Sequence, residues 1–364
     1  DAVIVDLKFR LGQALEKHLA DERGALDNYR EILGLDAAHD GARLALEAML
    51  ERSELEIKTE VAGILEGIYE AREDWERLIG VLEILAKAET DSARKVELLR
   101  KSGRTSIGML GDVPRAFDAQ ARALAVDPTH VEARNELVAM AAANESWDKL
   151  VAVLSTTAEG VEDPLLKRDY WFRIASLQEQ KLNLVDDAAS SYQKVLELDP
   201  TDAEALAALE QLYLRTQRWT DLIQVVQKRI DLADDASSRE ALYGRMASIY
   251  EQNLGKPDEA ISCYREVLSI DPSSLLALGA LEGLYSRQER WTDLADNLEA
   301  QLRLAETDEE QLKLMLRLAQ LRETRMGEVD QAVEIYRQVL DREPTNAEAL
   351  TALERLGREA KYEQ

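Results

Sequence analysis

The sequence predicts an all-α tandem array of helical hairpins, and three observations carry that prediction. Trp75, Trp147, Trp219 and Trp291 recur every 72 residues without slippage. Pro128, Pro200, Pro272 and Pro344 keep the same interval, as do the turn residues Gly111, Asn183, Gly255 and Gly327. Only 5% of residues are aromatic and seven are proline, whereas 46% are hydrophobic, a balance that suits aliphatic helix packing. A fixed period of this kind marks units that bury their apolar faces on their neighbours.

Within one unit the elements follow in order. Leu242, Met246, Ile249 and Tyr250 fall at helical spacing, and the pattern restarts after Gly255 to make a hairpin. Gly255 stands where a helix end takes a left-handed residue, which glycine or asparagine adopts at least steric cost. Ala260, Tyr264, Val267 and Leu268 mark the second helix, which stops at Asp271 because Pro272 disfavours helix in the residue before it. Thr129 with Glu132, Thr201 with Glu204 and Thr345 with Glu348 read as capping boxes opening the third helix, with Ser273 and Leu276 the exception. On the fourth helix Trp291, Leu294, Ala295 and Leu298 are spaced i, i+3, i+4 and i+7, as are Trp147, Leu150, Val151 and Leu154. Those apolar partners make the four tryptophans structural core residues; an aromatic binding strip is the other reading.

Small residues Gly12, Gly103, Ala175, Ala247 and Ala319 sit midway along the first helices, and Ala25, Ala116, Ala188, Ala260 and Ala332 open the second. Tyr29, Tyr192, Tyr264 and Tyr336 follow, with Gln120 replacing the tyrosine once and Ala37 replacing the proline once. This pattern resembles the tetratricopeptide repeat, in a double-length form whose alternate hairpin carries the tryptophan. The resemblance implies a right-handed α-α superhelix of about twenty antiparallel helices whose first helices line a concave groove. It further implies a scaffold or adaptor that takes a partner protein or peptide in that groove or along its edges.

The regular units run 75–146, 147–218, 219–290 and 291–362, inside an array spanning 55–364. Ahead of it, residues 1–54 form helices of the same kind before an irregular joint expected near residues 52 to 56. Asp36 lies 39 residues before Trp75 where other units show 20, so sequence is inserted there. Asp1 opens inside a helical pattern and the chain stops where another tryptophan helix is due, so both ends read as cuts through a longer array.

Composition limits the function classes. A net charge of −26, from 71 acidic and 45 basic residues, repels phosphate backbones and anionic lipid, so nucleic acid is an unexpected partner. The single cysteine, Cys263, cannot form an internal disulfide, and no apolar run is long enough for a transmembrane segment. A cytoplasmic setting follows as the default expectation. Catalysis needs unlike residues gathered at one point, but this chain spreads like residues along a line. His18, His39 and His130 lie in non-equivalent places at helix ends or connections, with no metal-ligand spacing and no glycine-rich phosphate loop. The expectation is therefore a non-enzyme without a cofactor.

Glu16, Glu179, Glu251 and Glu323 occupy one equivalent position, broken by Ile107, and offer an acidic column to a basic partner. A solvated position filled by a good helix former is the bland reading. Arg100 and Arg104, at i and i+4, are the candidate anion contact, against an ordinary solvated basic pair. The remaining groove positions, among them Asn135, Phe172 and Ser176, lack the lysine and arginine pattern of the family's carboxylate clamps. Arg215 and Arg287 are expected to meet helix C-terminal carbonyls. A second function class, an effector binding a small GTPase, would share the fold and differ in nucleotide dependence.

Overall fold

The computed structural model describes residues 2–362, which form twenty α-helices and no strand. They fall into two compact units that divide between Pro200 and Thr201.

The first unit holds α1 (Ala2–His18), α2 (Glu22–Leu35), α3 (Asp40–Arg52), α4 (Leu55–Ala71), α5 (Trp75–Ala88), α6 (Ser92–Leu110), α7 (Val113–Val126), α8 (Val131–Asn144), α9 (Trp147–Gly160), α10 (Pro164–Gln180) and α11 (Val185–Leu198). Each packs chiefly on the helices before and after it, with α2 also touching α4 and α7 touching α9. Ser53 and Glu54 link α3 to α4, and one core runs across that joint from Val5 and Tyr29 through Leu65 to Ala133. The second unit holds α12 (Ala203–Arg215), α13 (Trp219–Leu232), α14 (Ala236–Gln252), α15 (Pro257–Ile270), α16 (Leu275–Arg287), α17 (Trp291–Leu304), α18 (Asp308–Leu321), a π turn (Arg322–Met326), α19 (Val329–Arg342) and α20 (Ala347–Tyr362). Its last core joins Met315 and Tyr336 to Ala349 and Leu356.

The turn chemistry follows the sequence closely. Gly111, Asn183, Gly255 and Gly327 are left-handed, at φ 67, 53, 61 and 71°. Ala20 takes the matching place in the first hairpin at φ 53°, with a β-carbon to accommodate. A second left-handed series, Glu73, Glu145, Gln217 and Glu289, stands two residues before each tryptophan. The helix starts correct the capping boxes by one residue. His130, Asp202 and Asn346 accept the first-turn N–H groups of Ala133, Ala205 and Ala349, while Thr129 donates its hydroxyl to Asp127. A one-residue shift satisfies the same open backbone groups because histidine, aspartate and asparagine are all short acceptors.

The tryptophans are also corrected. All four open their helices and are half-buried, so they bridge core and solvent where an enclosed core residue was expected. Trp75 packs on the first unit's core, the Lys181 ammonium lies 5.3 Å from the Trp147 ring centre, and the Arg325 guanidinium 5.1 Å from that of Trp291. The fully enclosed aromatics are Tyr29 and Tyr170.

Candidate interaction surface

The glutamate column is held inside the fold. Tyr29 on α2 donates its hydroxyl to Glu16 at 2.6 Å, Tyr192 on α11 donates to Glu179 at 3.1 Å, and Tyr336 on α19 donates to Glu323 at 3.0 Å. An arginine from the next hairpin closes the other side: Arg52 on Glu16, Arg287 on Glu251 and Arg355 on Glu323. The Glu16 and Glu323 side chains are only 7% and 5% exposed. A buried carboxylate needs such partners, because its desolvation is repaid only by charge pairing and hydrogen bonds. These glutamates therefore tie hairpin to hairpin and do not stand as a free acidic strip. Arg287 accordingly meets a carboxylate where helix carbonyls were expected.

The Arg100 and Arg104 pair is likewise spent internally. Arg100, 5% exposed, donates to Glu97 at 2.9 Å and to Glu136 at 3.1 Å. Arg104 donates two N–H groups to the same Glu136 oxygen, at 2.9 and 3.0 Å. The expected anion contact is thus made by a carboxylate of this chain.

Sequence reasoning passed over a second set of carboxylates. Glu210 on α12, 2% exposed, receives Arg229 of α13 and Arg245 of α14, and Glu282 on α16 receives Arg317 of α18. Glu210 and Glu282 are 72 residues apart, as are Arg245 and Arg317, and that shared interval was the available signal. His39 and His130 are equivalent after all: each starts a helix with Nδ1 accepting a backbone N–H, from Ala42 at 3.0 Å and Ala133 at 3.2 Å.

An open site does exist between α8 and α10. A cavity of about 450 Å³ is lined by Asn135 and Val138 of α8, Leu154 of α9, and Phe172, Arg173 and Ser176 of α10. Phe172 meets Tyr192 edge-on at 5.4 Å, and the Arg168 guanidinium sits 5.0 Å from the Phe172 ring centre. The ring is therefore fixed in place while part of it stays exposed to the cavity. Asn135, Phe172 and Ser176 are three groove positions that the repeat pattern assigns to successive first helices, and here they converge.

Among the described residues no group of three or more histidines, cysteines, aspartates and glutamates is placed to hold a metal ion, and no helix is long and apolar enough to cross a membrane. Cys263 is buried in α15, and its thiol is pushed up to about 11 by burial and then by Glu266 and Glu259.

Comparison with known proteins agrees with this architecture. Tetratricopeptide repeat patterns match residues 169–202, 205–240, 241–274, 277–312 and 299–346. These matches place tetratricopeptide repeats through residues 169–346, in the second half of the chain. Superkiller protein 3 of Schizosaccharomyces pombe is 24% identical over 215 residues, covering 55% of this chain and 15% of that protein. Among solved structures, YrrB, a repeat protein described with an unusual peptide-binding site, is 15% identical over 51% of this chain and 91% of its own, with a TM-score of 0.28. A repeat protein from Parabacteroides merdae is 14% identical over 71% and 97%, at 0.29. The P58(IPK) repeat domain is 17% identical over 88% and 98%, at 0.24. Likeness at these scores carries no function across to this chain.

Proposed function

We propose that this chain is a non-catalytic scaffold that holds a partner polypeptide against α8 and α10. The convergence of Asn135, Phe172 and Ser176 on one open cavity is the observation that supports the reading. A fixed aromatic edge offers an apolar anchor, and Asn135 and Ser176 offer hydrogen bonds to an extended backbone. The carboxylates first suggested as the contact surface are engaged within the fold, so the partner need not be basic.

Capture from a peptide library by the whole chain tests this, using Val138→Lys as the blocking variant. Val138 is 37% exposed and lines the cavity, so the variant should fold normally and lose most captured sequences. Undiminished capture by that variant would defeat the proposal. Running the capture with a GTPase panel in GTP and GDP separates the alternative class, which requires retention of the GTP form alone.

A further inference from the structure

One position in each repeat lies beneath the gap between two second helices: Leu99, Trp171, Tyr243 and Met315, each 72 residues from the next. At Trp171 the gap is taken up. Trp171 of α10 is 6% exposed, and the Lys194 ammonium of α11 lies 3.5 Å from its ring centre. Tyr243 of α14, the equivalent aromatic, is half-buried, and burial followed by Glu266 of α15 raises its pKa. Where the residue is aliphatic, a cavity opens. Leu99 lines one of about 560 Å³ between α5 and α7, and Met315 lines one of about 650 Å³ between α17 and α19.

The two open cavities differ in charge. The first has an apolar floor of Ile84, Leu99, Ala125 and Val126, with Lys87 and Lys95 at its rim. Arg122, also on the rim, is neutralised by Glu83 through contacts of 2.7 and 2.8 Å. Lys87 and Lys95 form no ion pair among the described residues, which leaves a local positive edge on a chain of net charge −26. The second cavity sets Glu299, Asp330 and Glu334 against Arg322 and Arg342, so its charged lining is net negative.

We propose that the cavity between α5 and α7 is a docking site for an acidic segment of a partner polypeptide. The segment would set one apolar side chain on Leu99 and its carboxylates against Lys87 and Lys95. Charge complementarity selects this occupant, because a basic segment would meet two unneutralised ammonium groups at the rim. An apolar anchor in a water-excluding pocket supplies affinity, and the rim charges supply selection and salt dependence. This surface is formed by different helices from the α8–α10 cavity, and the proposal does not rest on that one.

The test uses a labelled helical peptide carrying one phenylalanine among glutamates, with a lysine-for-glutamate control, titrated into the whole chain and read by fluorescence anisotropy. The acidic peptide should bind and weaken with salt, and the control should bind at least tenfold more weakly. Leu99→Trp, which copies the filled repeat, should lower affinity at least tenfold. Lys87→Glu with Lys95→Glu should do the same without touching the core. Val138→Lys should leave affinity unchanged. Equal binding of both peptides, indifference to the lysine changes, or loss on Val138→Lys would each overturn the proposal. So would sedimentation showing that the cavity is covered by a second copy of the chain.

Discussion

The hydroxyl of Tyr29 donates to Glu16 at 2.6 Å, and the same thirteen-residue link joins Tyr192 to Glu179 and Tyr336 to Glu323. It turns two columns of the repeat, one tyrosine and one glutamate, into a hairpin fastener that the arginines extend to the following helix pair. Tyr29→Phe should cost about 1 kcal/mol, the typical net value of one hydrogen bond. Glu16→Ala should cost about 2 to 3 kcal/mol, since it strands a buried phenol and removes the partner of Arg52. Urea unfolding monitored by circular dichroism reads both, and the reverse order of the two costs would contradict the fastener.

Burial first, and then the bonded glutamate, push the Tyr29 and Tyr336 phenols above their ordinary value. In the unfolded chain both ionise near 10. The folded form holds the proton more tightly, so its stability is intact below about pH 10 and declines as pH climbs toward the folded pKa. Absorbance of ionised phenol should therefore rise late for these two residues and together with loss of helix. A Tyr29→Phe, Tyr336→Phe double variant should show a smaller late step. Titration of all eleven tyrosines near 10 in the folded chain would refute this.

A β-carbon added at Gly12 would lie 2.7 Å from Cε1 of the enclosed Tyr29 ring, whereas one added at Gly34 meets nothing within 4 Å. Gly12→Ala should destabilise by about 1 to 3 kcal/mol through overpacking. Gly34→Ala, inside α2, should stabilise by about 0.5 to 1 kcal/mol. Thermal unfolding of the two variants should move in opposite directions, and a shared direction would contradict the packing described.

The Cys263 thiol, raised to about 11 by burial and two neighbouring carboxylates, stays protonated at neutral pH. Since only the thiolate attacks, a disulfide reagent at pH 8 should modify the native chain far more slowly than the denatured chain. Equal rates would show that α15 opens freely.

Much of this fold was legible before any coordinates. The left-handed turn at Gly255 and the helix stop at Asp271 follow from local backbone chemistry, and both stand where they were expected. What the sequence hid was partnership. A period places Glu16, Glu251 and Glu323 on one line but is silent on whether that line meets water, Tyr29 or Arg287, because the partner lies on another helix. Trp75 misled for a related reason: apolar neighbours at i+3, i+4 and i+7 fix the face of a helix, while its position at the first residue leaves one edge in solvent. The α8–α10 cavity was partly visible, in Asn135, Phe172 and Ser176, but their convergence required the packing of three helices.

Hydrogen exchange on the whole chain, with and without a captured peptide, tests the scaffold reading most directly. Added protection should fall on Val131–Asn144 and Pro164–Gln180, the helices flanking the cavity, and should vanish in Val138→Lys. Protection that spares both helices, or persists in that variant, would contradict the proposed partner site.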